Sequence, residues 1–465
     1  MAHVNPNIFR MYDIRGIADE DLTDDSVRLI GKAYGSYMKR KGYHLFSVGR
    51  DVRLSSERIK NALIAGITST GCDVIDIGVV PTPILYFSIV HLKSDGGIMV
   101  TGSHNPIEFN GLKLCEGIGS VYGDEIQVLL KMIQSDDFES GSGHASTKDI
   151  VNDYLNVIKS KINIKKKLNI VIDAGNGTAG VIAPKLWEDL GCEIERLYCE
   201  PDGRFPNHMP DPTVPKYMKD LQRHVLETGA DMGIGYDGDS DRMGIVDEKG
   251  NLIYADKFLA LFSKDVLKNL PGSTIIFDVK CSQALPEYIK QHGGVPIMWK
   301  TGHAILKAKM KEENAPLAGE MSGHIFFADD YYGFDDAIYV SGRFMQIVAD
   351  SGKTVSKLID EIPHFIGTPE IRVDCADEDK FRVVDDLVKH FRKHHETVDI
   401  DGARVMFGDG WGLVRASNTQ PVLVLRFEAR TKDKLKKIIE TFTTKLSEYP
   451  SVHFEQKDFE FEVLQ

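Results

Sequence analysis

The sequence predicts an α/β protein: three related α/β units in tandem, followed by a smaller α+β segment. Two observations carry this. Three apolar, strand-like runs end in aspartate: Phe46 to Asp51, Ile170 to Asp173 and Ile275 to Asp278. Each is followed by a helical stretch that stops at glycine, and then by a second apolar run. Strands alternating with helices favour mostly parallel pairing. In such sheets ligands gather beyond the carboxyl ends of the strands.

In chain order, the helical stretches are Ser56 to Thr70, Thr178 to Leu190 and Ser282 to Gln291. Gly71, Gly191 and Gly293 end them, as left-handed caps require. The second strands are Val74 to Gly78, Ile194 to Tyr198 and Val295 to Trp299. A third strand in each unit then leads into a polar loop. Gly97 to Val100 precedes Thr101-Gly102-Ser103-His104-Asn105-Pro106. Met232 to Gly235 precedes Asp237-Gly238-Asp239-Ser240-Asp241-Arg242, and Pro316 to Ala318 precedes Gly319-Glu320-Met321-Ser322-Gly323-His324. The last segment breaks the rhythm. Glu370 to Asp374, Val405 to Phe407, Gly412 to Arg415 and Val422 to Ala429 read as strands, with helices over Asp377 to His394 and Lys432 to Leu446. Domain boundaries are placed at 1–149, 150–251, 252–365 and 366–465.

Length and composition agree with several buried cores. The 465 residues suggest about three or four domains, and 42% of them are hydrophobic. A net charge of -13 argues against nucleic acid or an anionic membrane as the main partner. The first twenty residues hold no apolar core of about 7–15 residues such as a signal peptide needs. No run approaches the roughly 18 apolar residues of a spanning helix. The six cysteines form no C-x-x-C pair, so reduced, mostly buried thiols and a cytoplasmic location are expected.

The loops define the chemistry. Gly102 lets backbone approach Ser103 closely, and Pro106 cannot continue a strand, so the turn presents the serine hydroxyl. Asp237, Asp239 and Asp241 alternate at period two, which in an extended segment puts three carboxylates on one face. Such a face needs a cation, and hard oxygen ligands select Mg²⁺ or Ca²⁺. An EF-hand is excluded because Arg242 stands where its loop demands glycine. Mg²⁺ commonly shares a few carboxylates with a phosphate, so the missing oxygen is expected from a phosphate carried by Ser103. Glu320, Ser322 and His324 suit sugar hydroxyls. Arg415-Ala416-Ser417-Asn418-Thr419-Gln420-Pro421 gathers a guanidinium, hydroxyls and an amide after a strand, as a phosphate pocket requires. Arg15, Lys113, Lys280 and His303 are further basic candidates.

The four loops together, in this order, resemble those of the α-D-phosphohexomutases. The serine loop usually reads T-A-S-H-N-P there; Gly102 replaces the alanine. Met321 in G-E-M-S-G-H resembles the phosphomannomutase/phosphoglucomutase branch. The phosphoglucosamine branch more often carries glutamine at that place. Family-like positions also occur at Tyr12 and Arg15, Lys113, Lys280 and His303, and in the phosphate loop at Arg415, Ser417, Asn418 and Thr419. The resemblance implies four domains around a central cleft, one Mg²⁺ per chain held by Ser103 and the three aspartates, and a resting phosphoserine. It implies interconversion of the 1- and 6-phosphates of mannose and glucose through a hexose 1,6-bisphosphate, which also primes the enzyme. Phosphorylated hexoses are the expected partners and a monomer the expected state. His104, Arg15, Lys113, Arg242 and His324 are expected to serve the transfer; Tyr12, Lys280, His303, Glu320, Ser322 and the Arg415 loop are expected to hold substrate. A phosphoglucosamine mutase, or a sugar phosphatase working through phosphoserine, is the alternative.

Overall fold

Three parallel strands recur in the same order three times, and each set delivers one of the polar loops. A computed structural model describes residues 4–417 and 420–459. It divides into two compact units, Met1–Phe258 with Ser322–Leu358, and Leu259–Met321 with Ile359–Gln465.

In the first compact unit, Leu45–Arg50 lies between Asp73–Val79 and Gly96–Val100, parallel to both. Phe109–Glu116 adds antiparallel beside Gly96–Val100, and Ile14–Ile17 pairs antiparallel with it in turn. The helices Asp24–Arg40 and Ser56–Thr68 cover this sheet. They cross where Gly31 meets Gly66: a Cβ on Gly31 would lie 2.5 Å from Leu63 O, and one on Gly66 would lie 2.3 Å from Arg28 O. Phe46, Val48, Leu63, Ile98 and Leu112 form the core beneath them.

The second sheet repeats the plan. Asn169–Asp173 lies parallel between Glu193–Leu197 and Met232–Tyr236, and Met243–Asp247 returns antiparallel. The helix expected over Thr178 to Leu190 is broken. A 3-10 turn, Thr178–Val181, is followed by Ala183–Asp189. The restart falls where Pro184 enters the first helical turn, which needs no N–H donor there.

In the second compact unit, Thr274–Asp278 lies parallel between Val295–Trp299 and Leu317–Gly319. The C-terminal sheet is antiparallel, with Gly410–Ala416 and Val422–Ala429 at its centre and Ile371–Cys375 beside the latter. Lys380–Phe391 and Lys432–Leu446 cover it, burying Val383, Leu387, Ile438 and Phe442. This is the two-layer α+β module the sequence predicts. The helix-ending glycines stand at φ 90° (Gly71), 92° (Gly191) and 79° (Gly293), where a side chain is strained. All six cysteines are free, and five are buried. Among the described residues, no helix is long and apolar enough to cross a membrane.

Candidate active site

Ser103 follows the strand Gly96–Val100 in a turn with φ 48°, left-handed and disfavoured for a residue with a Cβ. Asp51, at the end of the central strand, accepts from Gly102 N at 3.1 Å and so braces this loop. Asp278 does the same in the third repeat, accepting from Met321 N at 3.2 Å. In the second repeat Asp173 faces His208 instead, Oδ2 to Nε2 2.9 Å.

The serine hydroxyl is turned inward rather than presented at the surface; the residue is 3% exposed. Its Oγ lies 2.8 Å from Asp237 Oδ2 and 3.0 Å from His104 Nδ1. With the hydroxyl donating to Asp237, a neutral His104 carrying its hydrogen on Nδ1 donates to Oγ. Burial, then the charges of Arg242, Arg15 and Lys113, hold the His104 pKa well below the usual histidine value, so the ring is neutral.

The three aspartates converge, but not by alternating along an extended face. Residues 237–241 form a tight turn between strands, with Ser240 at φ 62°. Asp237 Oδ1 accepts from the backbone N of Asp241 and Arg242 at 3.1 and 3.2 Å. Thr178 Oγ1 and Ser240 Oγ lie 2.8 Å apart, and Thr82 Oγ1 donates to Asp239 Oδ2 at 2.5 Å. Lys113, on the strand Phe109–Glu116, donates to Asp239 at 2.6 Å and also to Asp241. Burial pulls its pKa down, but Asp239 and Asp241 outweigh this and hold it above the usual lysine value. Burial, then Asp241 and Asp239, push the Asp237 carboxyl well above the usual range, outweighing the opposing charges of Arg242 and Lys113.

His324 is set by a chain of partners. Its Nδ1 lies 2.9 Å from Asp335 Oδ2, and its Nε2 accepts from Arg242 Nε at 2.8 Å. The backbone approach that permits this needs Gly323, whose φ is 100° and whose Cβ would lie 2.7 Å from Met243 O. Arg15 donates to Asp13 Oδ2 at 2.6 Å and to Asn105 Oδ1 at 3.2 Å; Tyr12 nearby in sequence is partly exposed. Thus Ser103, His104, Arg15, Lys113, the aspartates, Arg242 and His324 all lie in the first compact unit.

The second compact unit gathers another polar group. Lys280 Nζ donates to Glu370 Oε2 at 3.1 Å and is 7% exposed. Burial favours the neutral carboxyl of Glu370, yet Lys280 and Arg372 outweigh it and bring its pKa to about 2. Glu320 Oε1 accepts from Gly302 N at 2.5 Å, just before His303 opens the helix His303–Glu312. Asp401 Oδ2 accepts from Arg415 Nε at 3.0 Å and from Thr301 N at 3.1 Å, tying the Arg415 loop to the His303 turn. Ser417 Oγ accepts from Gln420 N at 3.2 Å. Asn418 and Thr419 lie outside the described residues. The division between the units falls within the Gly319 to His324 loop, and Ser322, in the first, is partly buried.

Sequence reasoning missed Thr82, Asp335 and Asp401, which no local motif marks. It found Asp51 and Asp278 only as beats of a rhythm.

The site's donor set fits a hard divalent cation. Carboxylate oxygens of Asp237, Asp239 and Asp241 lie within 4.8 Å of one another. Asp239 Oδ1 and Asp241 Oδ1 are buried without a hydrogen-bond partner. Hard, charged oxygens left in this way suit Mg²⁺-like ions.

Four family models match the chain in order. They are described as Phosphoglucomutase/phosphomannomutase, alpha/beta/alpha domain I over residues 6–140, domain II over 151–250, domain III over 254–365, and C-terminal domain over 370–445. The chain therefore belongs to the phosphoglucomutase/phosphomannomutase family, the α-D-phosphohexomutases of the sequence reading. A phosphomannomutase/phosphoglucomutase of Pseudomonas putida is 45% identical over 452 residues, spanning 96% of this chain and 98% of that protein. A phosphoglucomutase of Neisseria meningitidis is 42% identical, spanning 97% and 99%. The crystal structure of a phosphoglucomutase/phosphomannomutase family protein from Burkholderia thailandensis superposes with a TM-score of 0.90 at 41% identity, covering 96% and 98%.

Proposed function

We infer that this enzyme interconverts the 1- and 6-phosphates of mannose and of glucose, with Ser103 carrying the phosphoryl group between turnovers. The observation that supports this best is the buried contact of Ser103 Oγ with Asp237 at 2.8 Å, inside a three-aspartate cluster. A serine held in such a place is poorly suited to bulk hydrolysis and well suited to a charged ester on a metal.

Asp237, Asp239, Asp241 and the Ser103 phosphate would hold one Mg²⁺, which would offset charge on the transferring phosphoryl group. The chain's own groups do the rest. The P–Oγ bond of phosphoserine 103 breaks as a bond forms from phosphorus to sugar O1 or O6. The proton lost by the sugar hydroxyl ends on Ser103 Oγ, which is left as the free serine hydroxyl. His104 donates a hydrogen bond to Oγ. Arg15, Lys113 and Arg242 supply positive charge around the transfer, and His324 orients Arg242 by accepting from its Nε. The hexose 1,6-bisphosphate turns over, and its other phosphate returns to Ser103.

Turnover of the sugar requires recognition in two orientations. Glu320 and Ser322 bind O3 and O4, which occupy similar places after the flip. Arg415, Ser417, Asn418 and Thr419 hold the non-reacting phosphate, and Tyr12, Lys280 and His303 are further substrate-holding residues. Mannose and glucose differ only at C2, so such a site accepts both. The domains run 1–149, 150–251, 252–365 and 366–465, and the enzyme works as a cytoplasmic monomer.

The test is incubation with radiolabelled glucose 1,6-bisphosphate, with a coupled assay on mannose 1-phosphate and glucose 1-phosphate. Label on the wild type that Ser103→Ala abolishes, together with Mg²⁺-dependent turnover of both sugars, is the expected result. Undiminished labelling of the Ser103→Ala protein would sink the reading.

A further inference from the structure

We propose that Arg53 is the positioning residue of the serine loop, holding the Ser103 hydroxyl on the aspartate cluster by collecting the loop's carbonyls onto one buried guanidinium. The inference rests on the functional reading above. It concerns a residue outside the reacting groups.

The carbonyls of the loop point inward, and one side chain receives them. Arg53 Nη2 donates to Ser103 O at 2.9 Å and also to Asn105 O. Nη1 donates to Pro106 O at 2.7 Å and to Phe109 O at 2.9 Å. These acceptors span the whole of the serine turn. Arg53 is 1% exposed, so water offers no substitute donors. Its charge is countered by Asp51, whose Oδ2 lies 3.4 Å from Nε and also accepts from Gly102 N. One ion pair thus grips the turn through an N–H on one side and carbonyls on the other.

The space around the guanidinium is equally specific. A Cβ on Gly102 would lie 2.4 Å from Arg53 Nε and 2.5 Å from Cζ. In this chain the guanidinium occupies the room that Gly102 leaves beside the serine. On its other side the Phe205 ring lies 5.1 Å from Cζ. The turn carrying Phe205 rests on the Arg53 backbone: a Cβ on Gly203 would lie 2.4 Å from Val52 O and 2.8 Å from Arg53 Cα. The serine and aspartate loops also meet directly, since a Cβ on Gly238 would lie 2.4 Å from Ser103 O. Arg53 thus binds the very carbonyl at which the two loops touch. Ser103 keeps a left-handed φ of 48° there, a conformation the chain abandons unless its surroundings fix it.

A lysine keeps the charge but has no planar fork to serve four carbonyls. The test compares wild type, Arg53→Lys and Arg53→Ala. It measures kcat and KM on glucose 1-phosphate, thermal midpoint, and single-turnover discharge of radiolabelled phosphoenzyme to glucose 6-phosphate. Rates are expressed per labelled serine, so loss of folded protein does not count as loss of rate. In Arg53→Lys, discharge and kcat should fall about 100-fold, the usual effect of a misplacement near 1 Å. KM should stay within about twofold, because the substrate-holding residues are untouched. If Arg53→Ala does not fold, Arg53→Lys decides. Added guanidinium ion should restore part of the Arg53→Ala rate if that variant folds. Rates per labelled serine within about threefold of wild type in Arg53→Lys would overturn the proposal. So would a loss carried by KM alone. A wild type that neither labels at Ser103 nor turns over hexose phosphate would sink the functional reading first, and this inference with it.

Discussion

Replacing Lys113 by methionine tests whether this ammonium and a metal ion share the aspartate cluster. Lys113 Nζ donates to Asp239 at 2.6 Å and to Asp241, with its side chain 9% exposed and both carboxylates at 0%. Methionine keeps much of the volume and removes the charge. Stripping one partner from a buried pair costs about 3–5 kcal/mol. Protonation of one of the two carboxylates left behind limits the loss, because burial and a neighbouring like charge both favour the neutral carboxyl. The lower end, about 3 kcal/mol, is therefore expected for the metal-free protein. At roughly 2–4 °C per kcal/mol this lowers the thermal midpoint by roughly 6–12 °C. The carboxylates left behind attract a cation more strongly, and any ligand of the folded state stabilises it in proportion to the logarithm of its affinity. Each tenfold gain in affinity adds about 1.4 kcal/mol. Saturating Mg²⁺ should thus raise the midpoint of Lys113→Met by roughly 3 °C or more beyond its effect on wild type. Circular dichroism melts with EDTA and with Mg²⁺ read both quantities. An equal or smaller Mg²⁺ effect in the variant would show that Lys113 and the ion do not compete for these oxygens, and the reasoning would fail.

Two further outcomes concern stability. Burial pushes Asp336 up to about 6, although Tyr339 N, Tyr331 and Tyr154 all donate to it. Below about pH 4 folded and unfolded states both hold this proton; as pH rises through about 6 the folded state must ionise a buried group, so stability is lost. Asp336→Asn should gain on wild type by about 3 kcal/mol between pH 4 and 7 in urea melts, and a difference flat across that range contradicts the account. Arg404 lies 3.7 Å over the Trp411 ring and donates to Val279 O and Cys281 O at 2.5 and 2.8 Å. Arg404→Met leaves those buried carbonyls without this donor and should cost about 2–4 kcal/mol, read by tryptophan fluorescence in urea; a loss under about 0.5 kcal/mol would mean the carbonyls find other partners.

Much of the fold was legible because backbone chemistry repeats. Strands ending at Asp51, Asp173 and Asp278 and helices stopped by Gly71, Gly191 and Gly293 are local signals, and each occupies its expected place. The strand Phe109–Glu116 was not legible, since Asn110, Gly111 and Lys113 interrupt an apolar run. Lys113 sits in that strand because its charge is neutralised by residues over a hundred positions away. No window of sequence reports such a pairing. The aspartates were legible as a cluster for a reason that proved incomplete. Alternation suggested an extended face, whereas a turn with Ser240 at φ 62° brings the carboxylates together. Arg53 was invisible for a different cause. Its partners are backbone carbonyls, which every residue possesses.

The repeated aspartate explains how one fold unit came to serve different ends. In the first and third repeats, the carboxylate at the end of the central strand accepts from a backbone N–H of its own polar loop. That bond fixes the loop beyond the carboxyl end of the sheet, where side chains can meet a ligand. In the second repeat Asp173 instead pairs with His208. The loop there is held from within and from outside its own strand end: Asp237 accepts from two backbone N–H groups of its own turn, and Thr82 N donates to Asp239 O at 2.9 Å. A loop gripped by the first repeat in this way carries its carboxylates to the first repeat's serine. The aspartate loop and the serine loop are thus registered against each other directly. The proposed transfer requires this, since a phosphoryl ester on one would have to face a cation on the other.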